Sequence, residues 1–315
     1  MNALRRLTFA LLAAVLAFGV STSGRAADLA VINLINLPAD NSAEVYYAQD
    51  LGFFKDAGLD VHISAMTNSG AIIAALAGGG GDIGNAVVGS VADARGKGIP
   101  IRYIAPAGLY DSASPTSALV VLKDSPIAKA ADLTGKPVAI SGLNDLTYFA
   151  TRAWIDQHGG KSADVKFIEL PFPTMIAALA AHRVDAAYEI EPFLTAGNNV
   201  DLKIISRAAE SVAARYQATG WIATDAWLAT HADVALRFAA AIHRTAVWAN
   251  SHQKESALIL VKYLKLDPAI VDKMRRVTYA VTLETRLVQP PIDTAAKYTG
   301  QTPVAANSLL WAPGK

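Results

Sequence analysis

Four short stretches carry side chains that both donate and accept hydrogen bonds, each where an apolar run gives way to a helical pattern. They are Asn41-Ser42, Asn68-Ser69-Gly70, Asn85-Ala86 and Ser141 to Asn144, with Thr147 just inside the last helix. Amide and hydroxyl groups at a helix start do one of two things. They cap their own helix, or they join its free N–H groups and positive dipole end in holding acceptor atoms of a bound molecule. All four stretches fall on the same edge of what reads as two sheets, which favours one shared ligand over four independent caps. A second group follows a later strand: Tyr188 and Glu189 leave the run that starts at Asp185, and Glu191-Pro192 opens the next helix. Tyr46, Tyr110 and Trp221 are aromatic candidates at the first loop and at the two lobe crossovers. Each has an ordinary alternative, as a dipole partner for the glutamates and as core or hinge packing for the rings. The chemistry such a set supports is non-covalent recognition. No Arg, Lys or His falls within it, whereas an anion site often uses Arg for a bidentate grip. The set reads as neutral to acidic and leans toward an N-heterocyclic, aromatic or amine-bearing ligand. A nitrate-, sulfonate- or taurine-type anion is the alternative, because helix N-termini alone can hold one.

Catalytic signatures are missing. The chain has no cysteine, and its six histidines, His62, His158, His182, His231, His243 and His252, are scattered without an HExxH pair. No G-x-S-x-G elbow occurs. The run Gly78 to Gly81 follows a helix and precedes a strand, the reverse of a phosphate loop, so it reads as a helix stop and turn. No catalytic residue, metal or cofactor is expected. The formal net charge is +1 with no basic run, which argues against nucleic acid and anionic membrane partners.

The elements that must position the candidates alternate. Apolar strands are expected at Leu29–Leu37, Leu59–Ala65, Asp82–Gly84, Ile101–Ala105, Ser117–Leu122, Val138–Ile140, Val165–Leu170, Lys203–Ser206 and Trp221–Ala223, with helices between them. One helix is expected over Ala43–Asp56, ended by Gly58, and another up to His158. Runs buried on both faces with intervening helices indicate parallel sheet. One unit is written twice, 103 residues apart: Ile73-Ala-Ala-Leu-Ala with Asp82 five residues on, and Ile176-Ala-Ala-Leu-Ala with Asp185 five residues on. Each copy follows a strand and precedes another, so each reads as a βαβ unit, one per half of the chain. Two α/β lobes imply a ligand cleft between them. After Thr224 the chain reads as nearly all helix to Lys273, and these helices must return to the first lobe. That places lobe I at 27–116 and 220–315, and lobe II at 117–219, with crossovers near Ser112–Ser117 and Gln217–Trp221.

Residues 1–26 read as a signal peptide. Arg5-Arg6 precede the apolar run Leu7–Val20, which is too short to span a bilayer, and small residues lead to a cut near Ala26. The mature chain, about 289 residues, is expected to be periplasmic and monomeric. Without a cysteine it has no site for a lipid anchor attached through an N-terminal Cys.

The run Tyr46-Tyr47-Ala48-Gln49-Asp50-Leu51-Gly52-Phe53-Phe54-Lys55-Asp56-Ala57-Gly58-Leu59-Asp60-Val61 resembles the N-terminal signature of periplasmic solute-binding proteins of the nitrate/sulfonate/taurine and thiamine-pyrimidine-precursor group. Further matches are Gly81-Asp82-Ile83-Gly84, Asp132-Leu133-Thr134-Gly135-Lys136-Pro137-Val138, Val184-Asp185-Ala186-Ala187 with Glu191-Pro192-Phe193, and Thr224-Asp225-Ala226-Trp227-Leu228. The resemblance covers essentially the whole mature chain. It implies a type II periplasmic binding fold, two α/β lobes closing over a small molecule, and delivery to an ABC permease. The family usually has proline where this chain has Glu44. That departure alters the first cleft loop and weakens transfer of any one ligand.

Overall fold

A computed structural model describes residues 29–314; the expected signal peptide lies outside them. Strands β1 (Ala30–Asn36), β2 (Leu59–Ala65), β3 (Ile83–Val87) and β4 (Ile101–Pro106) lead to the short β5 (Gly108–Asp111). Then come β6 (Ser117–Leu122), β7 (Pro137–Ile140), β8 (Lys166–Glu169), β9 (Ala186–Ile190) and β10 (Leu202–Ser206), followed by β11 (Arg215–Gln217), β12 (Thr219–Thr224) and β13 (Thr278–Tyr279). The helices of the first half are α1 (Glu44–Asp50), α2 (Phe53–Asp56), α3 (Ser69–Ala77), α4 (Val88–Gly96), α5 (Leu146–Gln157), α6 (Phe172–Ala180) and α7 (Phe193–Ala196). Those of the second are α8 (Asp225–Thr230), α9 (Ala232–Ser251), α10 (Gln253–Leu264), α11 (Pro268–Lys273), α12 (Thr285–Thr299) and α13 (Ala306–Leu309).

Two five-stranded sheets form, in the orders β2-β1-β3-β12-β4 and β10-β6-β9-β7-β8. Their topologies correspond strand for strand. In the first, β1 pairs parallel with both β2 and β3. In the second, β7 pairs parallel with both β8 and β9. The repeated unit is therefore β2-α3-β3 in one sheet and β8-α6-β9 in the other, and the two copies of Ile-Ala-Ala-Leu-Ala sit in α3 and α6, nine residues each. An antiparallel strand, β12 or β6, follows the last parallel one in each sheet. Both sheets are covered on both faces, which is why their strands are nearly continuous apolar runs. Along β1, Ile32 and Leu34 face a cluster with Trp221 and Phe238, and Ile35 faces one with Ile72 and Val91. In the second sheet, Leu119 and Val138 face Trp154, and Val120 and Ala139 face Met175 and Leu179.

One local expectation is corrected. The helix expected over Ala43–Asp56 breaks into α1 and α2 at Gly52, whose φ of +76° lies in the left-handed region that favours glycine. Strands stand at both crossovers, in keeping with the two crossover strands expected: β5 pairs with β11 and with β13 in a third, three-stranded sheet. Beyond the expected elements, α12 contains Pro290 and Pro291, residues that ordinarily argue against a helix interior, and it packs against α4, α5 and β11.

Candidate ligand cleft between the two sheets

The loops that leave the carboxyl ends of the two sheets meet. Leu37, after β1, packs against the second sheet's cluster of Phe172, Ala187 and Phe193 as well as against its own sheet. Asn68, after β2, lies against Gly142, after β7: a Cβ on that glycine would stand 3.5 Å from the Asn68 amide carbon. Ser90, on α4, donates its hydroxyl to the Asn144 carbonyl at 2.7 Å. These are the strand ends at which open α/β sheets bind ligands.

Several candidates spend their polar atoms on the fold. Asn68 accepts the Ala71 N–H at 2.9 Å and so caps α3. Ser69 accepts the Val87 N–H at 3.2 Å. Ser141 and Thr147 share a hydroxyl bond of 2.9 Å, and the Ser141 N–H also goes to Thr147. Asn144 sits at φ +64° with its carbonyl taken by Ser90. Asn85 is buried in the middle of β3, its amide donating to the Gly220 carbonyl at 3.4 Å. Glu191 accepts the Thr195 N–H at 3.1 Å and hydroxyl at 2.9 Å, tying α7 to its strand. Burial raises its pKa, against a smaller lowering by the two Thr195 bonds and by the backbone N–H of Arg275, from the first sheet's side. Tyr188 bonds Ser117 at 3.0 Å, and burial pushes its phenol up to about 12.

Trp221 stands apart from the meeting loops, whereas Tyr46 reaches the Asn36 side chain at the end of β1. Trp221 is fully buried on the helix-covered face of β12, edge-on to Phe238 at 5.8 Å, with its N–H given to Glu44 at 3.0 Å. Strand alternation puts it there: its neighbour Ile222 takes the opposite face. Tyr46 stacks on Tyr263 at 5.2 Å and lines an outer groove with Gln49, Val61 and Ile63.

The other candidates keep unspent atoms. Among the described residues, no hydrogen-bond partner is present for Oδ1 of Asn41, the hydroxyl of Tyr110 or either carboxylate oxygen of Glu189, all buried. Three residues not singled out from the sequence join them, together with Glu44. Asn36, the last residue of β1, keeps Oδ1 free, and Gln217 on β11 keeps both ends of its amide free. Tyr216 stacks on Tyr110 at 5.2 Å with its hydroxyl unbonded, and Glu44 keeps one oxygen. A polar residue closing an apolar strand, as Asn36 does, was a signal in the sequence. The pairing of Tyr216 with Tyr110, across β11 and β5, was not.

The electrostatics also depart from the sequence expectation. Arg207 donates to the Ser117 carbonyl at 2.9 Å and lies near enough to Tyr110 and Tyr188 to pull down phenol pKa values that burial has raised. A guanidinium therefore does stand among the candidate residues, brought there from 90 positions away. Against it stand buried acids. Burial raises Glu44 and Glu189 well above the usual carboxylate range, and raises Asp145, the cap of α5, to about 6. Such a site offers acceptors, one nearby cation and stacked phenols. Hydrogen bonding, charge and stacking are what this arrangement can offer a bound molecule. Among the described residues, no group of three or more His, Asp or Glu is placed to hold a metal.

Known proteins agree with this architecture. The chain is similar to the taurine-binding periplasmic protein of Escherichia coli (strain K12), 31% identical over 147 residues, which span 47% of this chain but only 44% of that protein. The alkanesulfonate-binding protein SsuA of Xanthomonas axonopodis pv. citri, solved bound to MOPS, superposes with a TM-score of 0.76 at 15% identity, covering 90% of this chain and 99% of that one. The desulfurization enzyme DSZB shares the fold with a TM-score of 0.65 at 16% identity, over 90% of this chain and 97% of the other. The fold thus serves both binding and catalysis elsewhere. The NMT1/THI5-like family matches residues 39–256, and with that match across most of its length the chain belongs to this family.

Proposed function

We propose that this protein is a solute-binding protein that takes a small molecule between the two sheets, closes over it and presents the closed form to an ABC permease. The observation that carries this is the meeting of the loops after β1, β2 and β3 with those after β7, β8 and β9 around polar atoms left unspent. The closing bodies are residues 27–116 with 220–315, and residues 117–219. Export through a signal peptide at 1–26 puts the protein in the periplasm, where it works as a monomer.

For the ligand, a small organic sulfonate or related oxoanion is the better-supported class. The names of similar proteins point there, and Arg207 supplies a cation beside Tyr110 and Tyr188. An N-heterocyclic or aromatic ligand is a second reading, favoured by the stacked Tyr110 and Tyr216. A thermal-shift screen with nitrate, alkyl sulfonates, aminopyrimidines, aromatic acids and quaternary amines separates them, since ligand at 100 times its dissociation constant adds about 2.7 kcal/mol. Sulfonates are expected to shift the midpoint; a shift by aminopyrimidines alone transfers the assignment to the second reading. The ligand is expected to be returned chemically unaltered, and turnover seen by mass spectrometry would make the protein an enzyme.

A further inference from the structure

We infer that Asp145 links lobe closure to a proton, so that the ligand-free lobes close more readily at pH 5 than at pH 7. The link rests on the closing motion proposed above and regulates it; it requires no particular ligand.

Asp145 follows β7 in lobe II and caps α5, its carboxylate accepting the Leu146 N–H at 2.5 Å. Lobe I faces it. The Ser69 N–H, at the start of α3, reaches its carboxylate. Around it, Ser90 of α4 donates to the Asn144 carbonyl at 2.7 Å, and Asn68 lies against Gly142. The residue is only 6% exposed. Lobe I is therefore one wall of its burial, and that wall withdraws when the lobes part. Closing strips water from a carboxyl group, which disfavours its charged form.

Its neighbours do not restore the charge. Burial outweighs the lowering by the Leu146 and Ser69 N–H groups and by the Ser141 hydroxyl. Glu169, at the end of β8, holds the Leu143 N–H and adds a second acid that raises the pKa further. Tyr103 of β4 and Tyr188 of β9 also lie within electrostatic reach, and burial keeps both phenols neutral well above pH 7. Among the described residues, no Lys, Arg or His forms an ion pair with Asp145. The outcome is a carboxyl pushed up to about 6 from an ordinary 3.8. Opening returns water to it and lets the value fall back. The closed form thus holds the proton more tightly, so closure is favoured below about pH 6 and loses that support as pH rises through it. From pH 7 to pH 5 the closed-to-open ratio should rise about tenfold. Other buried acids are anchored within one lobe. Glu44 takes the Trp221 N–H inside lobe I, and Glu191, although the Arg275 N–H of lobe I faces it, keeps both oxygens on Thr195 of lobe II.

Small-angle scattering of the purified, ligand-free mature chain at pH 7 and pH 5 tests the link, with Asp145→Asn and Asp145→Ser as variants. Neither variant titrates, and the serine keeps a cap on α5. The wild-type radius of gyration is expected to fall at pH 5, and the variants' radii to stay constant. A wild-type radius that does not change overturns the inference, and so does a compaction that persists in both variants. Calorimetry with ethanesulfonate, whose own charge is fixed over this range, adds a second readout. Its affinity should rise up to about tenfold at pH 5 in the wild type and by less than about twofold in the variants. Scattering decides the inference whether or not ethanesulfonate binds. A wild-type radius that is flat with pH but smaller in saturating ethanesulfonate overturns the proton link and leaves ligand-driven closure standing. A radius indifferent to pH and to bound ethanesulfonate overturns both.

Discussion

Asp145 shows how one residue carries both packing and pH dependence. It caps α5 through the Leu146 N–H, faces the Ser69 N–H across the lobe contact, and has Glu169, Tyr103 and Tyr188 within electrostatic reach. Burial raises its pKa to about 6 from 3.8. Since the folded value lies above the unfolded one, its contribution to stability is full below about pH 4 and is lost as pH rises through about 6. At about 1.36 kcal/mol per unit, the loss approaches 3 kcal/mol. Asp145→Asn lacks this loss, so its stability relative to wild type should improve steadily from pH 4 to pH 7 in denaturant melts. A difference that stays flat over that range refutes the burial argument. Asp40 and Arg276 make a second test. The aspartate is fully buried, paired with the guanidinium at 3.1 Å, and also holds the Val277 N–H at 2.8 Å. Arg276→Ala leaves a buried charge unpaired and is expected to cost about 3–5 kcal/mol in urea unfolding; a cost below about 1 kcal/mol would class the pair with surface ion pairs.

At the scale of elements, the two copies of the repeat differ where helix and strand touch. Gly84 on β3 lets α3 come so close that an added Cβ would stand 2.5 Å from Ile72 and 3.0 Å from Leu76. The second copy carries Ala187 at the matching position, so β9 and α6 pack around a Cβ. Gly84→Ala is therefore expected to destabilise by about 1–3 kcal/mol through overpacking. Thermal unfolding with an unchanged midpoint would show that α3 yields at no cost. The repeat, the alternation and the parallel sheets were legible in the sequence because period and length are local properties. β5, β11 and β13 were not, because strands of two to four residues carry too few positions to show a period.

At the scale of the molecule, closure is a balance between contacts made with and without ligand. The bond from Ser90 to the Asn144 carbonyl joins the two sheets' loops directly, protein to protein. A net hydrogen bond contributes about 1 kcal/mol, which shifts an open–closed ratio about fivefold. Ser90→Ala should then enlarge the ligand-free radius of gyration in small-angle scattering and weaken ligand binding. An unchanged radius would mean that the bond does not hold the lobes together. Wild-type protein is expected to compact further when saturated, because a ligand touching both lobes favours the closed form.

The sequence by itself determined the class of architecture: alternating strands and helices, a duplicated βαβ unit, and candidate polar loops at the strand ends. It also displayed the polar residues in those loops, but not which were free. Whether Asn68 caps α3 or meets a ligand, and whether Trp221 faces the cleft or the core, turns on hydrogen-bond partners and on the face a side chain takes. Only the tertiary structure decided that. It also brought Arg207 to Tyr110 and Tyr188, and left both oxygens of Glu189 without a partner among the described residues. The physical reason is range: periodicity and capping act within a few residues, whereas partners such as Trp221 and Glu44, 177 positions apart, meet only once the whole chain has folded.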